Sequence, residues 1–279
     1  MKMVYGWVGV TRQATYQHRV RQAQRQAEEE AIVLQVLTIR QLHPRMGARK
    51  LLEKMGEWLK AEGLKIGRDR FFDLLRAWGL LLKPLRRRHR TTWPGKWRSR
   101  NRLKKAQKKN KIVRPNKAWV SDITYVETEE GFRYLSLITD VYSRRIMGFD
   151  LSESLAVEGT IRALQMAVRQ ANGRVKKTIF HSDHGIQYTC HAFREKLKKY
   201  RMKQSMGEVG NCYDNALAER MNGILKLEYG LNQRFVTEKQ ARRAVREAVW
   251  LYNHDRPHLA LEYQNPHDFY INNRSVMVH

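Results

Sequence analysis

Cysteine is nearly absent from this chain: Cys190 and Cys212 are the only two in 279 residues. They match no zinc-ligand spacing and make no disulfide framework, so neither a zinc module nor a stapled secreted fold is expected. Long apolar runs are missing too. No stretch approaches the roughly 18 residues of a membrane-spanning helix, and the amino terminus lacks a signal-peptide pattern, so the chain reads as cytoplasmic. Acid is scarce as well: 27 Asp plus Glu face 54 Lys plus Arg, for a net charge of +27. A charge of that size exceeds what solubility requires and attracts polyanions, nucleic acid above all. The same balance also suits a ribosomal or chromatin-like binder or a protein of anionic membrane surfaces. No internal repeat is visible, and the one biased tract is basic.

What is present falls into three regions. Residues 1–85 read as helical: Ala27, Ala31, Leu34 and Leu37 recur at helical spacing, then Leu51, Leu52, Met55 and Leu59, then Phe71, Leu74, Leu75 and Trp78 with Gly79 as a cap. Short helices joined by "HPRMG" and "EGLKIG" suit a helix-turn-helix unit, as they suit any small bundle. Residues 86–115 form a basic linker. From Leu81 to Pro115 there are fifteen Lys or Arg and no acid, a composition expected to stay flexible until it meets phosphate. Arg86, Arg87, Arg88, Lys104 and Lys105 are the candidate DNA contacts there, with Trp93 and Trp97 either stacking on bases or docking on a neighbouring domain.

Residues 116–279 change pattern. "AWVSDITYVE" alternates as a strand, and "FRYLSLITDVYSRRIMGFDLS" reads as two more. A helix through Ile161, Leu164, Val168 and Ala171 follows, ended by Asn172 and Gly173, then the strand "KTIFHSD", a helix through Phe193, Leu197 and Tyr200, the strand "MKQSM" and a helix from Asn215 to Glu228. Thr237 with Gln240 three residues later signals the capped start of another helix. The order predicts an α/β mixed sheet with a meander at one edge, the layout of a ribonuclease H-like domain preceded by a helical domain.

Within that core three carboxylates stand out. Asp122 lies in the first strand, Asp183 closes "KTIFHSD", and Glu219 sits early in the helix, with 35 residues between it and Asp183. Oxygen ligands suit Mg²⁺ or Mn²⁺, and two such ions about 4 Å apart activate an attacking oxygen and stabilise a leaving one in phosphoryl transfer. In so basic a protein, acids that hold cations would let the cations hold the scissile phosphate. Taken singly, an Asp in a strand is more often a salt-bridge residue and a Glu on a helix more often solvated.

"WVSDITYVET", "YLSLITDVYSRRIMGF", "HSDHGIQYT", "GNCYDNALAERMNGILKLEY" and "YNHDRPHLALEYQNP" closely resemble successive blocks of the DDE transposases encoded by the second reading frame of bacterial two-frame insertion sequences. The catalytic core of that family is similar to retroviral integrase. The resemblance implies that Asp122, Asp183 and Glu219 form the catalytic triad and hold two Mg²⁺ or Mn²⁺ ions. In that mapping Asp122 bridges both ions, Asp183 completes one site and Glu219 the other. It implies cleavage at the element's ends to free a 3′ hydroxyl, transfer of that hydroxyl to another phosphodiester, and assembly as a homo-oligomer on DNA. It also points to a first-reading-frame protein as partner and to a bacterial, nucleoid-associated setting.

Other matching positions have open roles. Lys226, seven residues after Glu219, is a DNA contact or a surface lysine. Asp214 and Asn215 are expected to cap the helix. His181 and His184 orient Asp183 or meet phosphate, Gly207 and Gly210 loosen the preceding loop, and Ser143, Arg144 and Arg145 brace the sheet end. A structure-specific nuclease of the ribonuclease H superfamily and a catalytically silent DNA-binding regulator are the alternative functions.

Overall fold

A computed structural model describes residues 12–82, 99–207 and 215–274. Arg86, Arg87, Arg88, Trp93, Trp97, Gly210, Cys212 and Asp214 lie outside the described residues. The chain divides into two compact units, 1–83 and 84–279.

The first unit contains helices α1 (Arg12–Leu42), α2 (Ala48–Lys54), α3 (Gly56–Ala61) and α4 (Arg68–Ala77). Its core joins Ile32, Val33, Val36 and Ile39 to Met46, Leu51, Met55, Phe71 and Leu75. The expected α1 face is therefore corrected: Leu34 and Leu37 are 67% and 44% exposed. Helix α1 offers two apolar stripes, and the one richer in Ile and Val removes more apolar area from water than the one that includes Ala27 and Ala31. The single helix expected through Leu51 and Leu59 is broken at Met55. The hydrogen bonds from Met55 N to Leu51 O (2.9 Å) and from Leu59 N to Met55 O (2.8 Å) nevertheless continue the ladder. Gly79, with φ +66°, ends α4 as expected.

The second unit opens with a difference from the flexible-linker expectation. Residues Arg102–Lys108 form a helix, α5, capped by Asn101, whose side chain accepts from Lys104 N. Composition averaged over the tract hides the reason: Leu103 and Ala106, one turn apart, are both buried, and Leu103 joins a cluster with Ala118, Val120, Val141 and Ala218.

Strands β1 (Ala118–Thr128), β2 (Gly131–Asp140) and β3 (Ile146–Ser152) form the expected meander. Helix α6 (Val157–Gln170), β4 (Ile179–Ser182), α7 (Ile186–Thr189), α8 (His191–Lys199), β5 (Lys203–Met206), α9 (Ala216–Glu228), β6 (Arg234–Phe235), α10 (Glu238–His254) and α11 (Pro266–Arg274) follow. The sheet order is β3-β2-β1-β4-β5, with β6 added beside the end of β1. Pairings β1·β2 and β2·β3 are antiparallel, whereas β1·β4 and β4·β5 are parallel.

Alternation of β1 across the sheet sends Trp119 to a core with Phe180, Leu164 and Phe193, and Val126 to one with Leu225, Val245 and Tyr252. Gly148 lets α6 press onto β3, because a Cβ there would collide with the carbonyl of Ala163. At α10, Thr237 accepts from Gln240 N at 3.3 Å and Gln240 Oε1 accepts from Val236 N at 3.2 Å, a capping exchange of the expected kind. Among the described residues no helix is long and apolar enough to cross a membrane.

Candidate active site

Parallel pairing of β1 with β4 sets the first part of the site. Val120 is the register partner of His181, and Asp122 and Asp183 each lie two residues further along. The period of two puts both aspartates at the same level and on the same face of neighbouring strands. The pairing covers only three residue pairs. Asp183 follows the last residue of β4, and there Gly185 N donates to its Oδ1 at 3.0 Å. A Cβ at Gly185 would stand 3.0 Å from that same oxygen, so the close wrap of the loop around the carboxylate relies on glycine.

Helix α9 supplies the third carboxylate. Asn222 Nδ2 donates to Asp122 Oδ2 at 2.9 Å, fixing α9 against β1, and Glu219 lies one turn earlier on the same face. Asn215 is the residue before α9 but makes no side-chain cap; this corrects the capping expectation. Its amide instead donates to the backbone carbonyl of Ser121 at 3.3 Å, one residue before Asp122. Asp122 on β1 and Asp183 just past β4 thus lie at one level, and Glu219 is on the helix that Asn222 ties to Asp122. Among the described residues no three His, Cys, Asp or Glu side chains are gathered into a ready-made metal cage.

Behind the carboxylates sits Tyr188, fully buried. Its hydroxyl is 2.9 Å from Ser121 Oγ, whose own proton goes to Leu137 O at 2.8 Å, so Tyr188 donates to Ser121. Burial pushes the Tyr188 hydroxyl well above its ordinary range, and the charges of Asp122 and Asp183 push it the same way against the Ser121 bond. Both aspartates therefore act on one buried hydroxyl.

Other predicted residues fall in several places. His181 is a core side chain, its Nδ1 2.9 Å from Ser205 Oγ on β5. Ser205 Oγ also accepts from Arg102 N and Leu103 N, at 2.9 and 3.1 Å, and thereby anchors the start of α5. Lys105 is exposed and Lys104 half-buried on α5, which shares a buried cluster with Ala218, the neighbour of Glu219. Lys226 places its ammonium 3.9 Å from the ring centre of Tyr125, and Tyr125 meets Phe132 edge to face at 5.4 Å. Both rings are about half exposed. Arg145 braces the sheet end as expected: its guanidinium bonds Gln170 Oε1 at 2.9 Å and stacks 4.7 Å over Tyr270. Ser143 does the same through buried Asp140, whose Oδ1 accepts from Ser143 N and Oγ at 2.7 and 2.8 Å.

Asn222, Ser121, Tyr188 and Ser205 were not singled out from sequence. Only Asn222 had a readable signal, its one-turn spacing from Glu219.

Two models described as "Integrase core domain" match residues 113–212 and 200–266. A Shigella sonnei protein, the insertion element IS600 uncharacterized 31 kDa protein, is 33% identical over 94% of this chain and 95% of its own length. This chain belongs to the family of insertion-element transposases with an integrase core domain. Within that family, the putative transposase of insertion sequence element IS986/IS6110 from Mycobacterium tuberculosis is 43% identical, the match covering 41% of this chain and 42% of that protein. Among solved structures, a simian T-cell lymphotropic virus intasome matches with TM-score 0.51 and 16% identity over 89% of this chain and 77% of that one. The mixed sheet is thus the integrase-type, ribonuclease H-like fold.

Proposed function

We propose that this transposase-family chain cuts DNA at insertion-element ends and joins the freed 3′ hydroxyl to another phosphodiester, with Asp122, Asp183 and Glu219 as the catalytic carboxylates. The register that sets Asp122 beside Asp183 is the observation that supports this most. An all-oxygen donor set fits a hard divalent cation such as Mg²⁺ or Mn²⁺. Two such ions, when bound, would stabilise charge on the attacking and leaving oxygens. The chain's own contribution is placement: β1 and β4 fix the aspartates, Gly185 N and Asn222 each hold one aspartate oxygen, and α9 presents Glu219. Water or a 3′ hydroxyl is the nucleophile, so no covalent protein intermediate forms.

DNA is the substrate and partner in this reading. Lys226, two turns beyond Glu219 on α9, and Lys104 and Lys105 on α5 contact its backbone, as do Arg86, Arg87 and Arg88 of the linker. The helical unit supplies further DNA binding, the active form is a homo-oligomer on DNA, and a first-frame protein assists end recognition. The setting is the bacterial nucleoid.

The test incubates the chain with pre-cut element ends, Mg²⁺ and target plasmid. Joined products are expected, and Asp183→Asn should lower joining at least about 100-fold while DNA retention persists. Hydrolysis without joining would replace this reading with a structure-specific nuclease. Unchanged joining in the variant would remove Asp183 from the site.

A further inference from the structure

Asn222 occupies a position where an apolar side chain would be expected. It is 7% exposed on α9, between Met221 and the buried Ile224 and Leu225, yet it is an amide. One end of that amide is used: Nδ2 donates to Asp122 Oδ2 at 2.9 Å. Because an ionised carboxylate only accepts, the amide orientation is fixed. The other end is not used: Oδ1 is buried without a hydrogen-bond partner. A buried acceptor in that state has lost its water without compensation, a cost that leucine would avoid.

Anchoring of the helix alone does not account for the amide. Met221, Ile224 and Leu225 already pack α9 into the sheet, and Asn215 ties its start to Ser121. The single polar partner of Asn222 is the carboxylate proposed to bridge the ions.

We infer that Asn222 is a positioning residue, holding Asp122 through Oδ2 in the orientation that receives a divalent cation. This rests on the carboxylate reading above and extends it to a neighbouring amide that acts through Asp122. Fixing a ligand from outside is a general way to raise metal affinity, and loss of such a partner typically weakens binding 10–100-fold. The orphan Oδ1 is consistent with this role, being an acceptor that a hydrated cation can satisfy with a water hydrogen. The same bond couples α9 to β1 and so fixes the level of Glu219 relative to Asp122.

The test follows thermal unfolding of the full chain, without DNA, across a MgCl₂ or MnCl₂ titration. Wild type is expected to show a saturable rise in Tm. Asn222→Ala and Asn222→Ser should move its midpoint to about tenfold higher metal or more. Asn253→Ala, which removes a buried amide bonded to Ile146 N and O, should lower the metal-free Tm and leave the midpoint in place. Equal midpoints in wild type and both Asn222 variants would overturn the inference while leaving the carboxylates as ligands. Should Asn222→Ala fail to fold, Asn222→Ser decides alone. No saturable rise in wild type, together with an unchanged profile in Asp122→Asn, would overturn the metal reading and this inference with it.

Discussion

At the scale of single residues, the second layer around the carboxylates is built from hydroxyl and amide donors. Tyr188, Ser121 and Leu137 O form a chain in which every proton has a destination. Removing the first donor leaves Ser121 still bonded to Leu137 O. Tyr188→Phe should therefore cost only about 1 kcal/mol of stability, measured by urea unfolding; a loss several times larger would show that the ring, not the hydroxyl, changed its packing. Pairing is more demanding at the end of α9, where Arg256 binds Glu228 through two bonds of 2.7 and 2.8 Å. The Arg256 side chain is only 3% exposed. It locks the exit of α9 to the segment after α10.

At the scale of elements, the docking of α5 has a defined origin. Ser205 Oγ serves two backbone amides and His181 at once, so Ser205→Ala should cost about 2–3 kcal/mol. Hydrogen exchange at Arg102 and Leu103 should quicken relative to α6, and unchanged protection there would show that Leu103 alone holds the helix. This helix also marks where sequence reading stops. The meander, α6, α8 and α10 were legible because alternation or a single apolar stripe leaves one choice of face, and Thr237 with Gln240 announced its own cap. Helix α5 was not, since its signal is two residues, Leu103 and Ala106, within a tract dominated by charge. The α1 face was not either, because two stripes compete and the winner depends on Phe71 and Leu75, far along the chain. Asp122, Asp183 and Glu219 were legible as residue types at a spacing, whereas the ties through Asn222 and Ser205 exist only once strands and helices have packed.

At the scale of the whole molecule, a net charge of +27 makes DNA retention a salt-controlled property. If six to ten phosphates are neutralised, affinity for random duplex should fall by about 10³–10⁵ between 50 and 200 mM salt, as followed by filter retention; a flat response would remove backbone contact as the main source of binding. Topology also orders the arrival of the proposed catalytic carboxylates. The meander is complete by β3, but Asp183 arrives only when β4 slots in beside β1, and Glu219 only after β5. During synthesis from the amino terminus, a nascent chain therefore exposes cationic surface before it holds all three proposed carboxylates. On the proposed assignment, ribosome-stalled or truncated products that end before Glu219 would cling to DNA without cutting it.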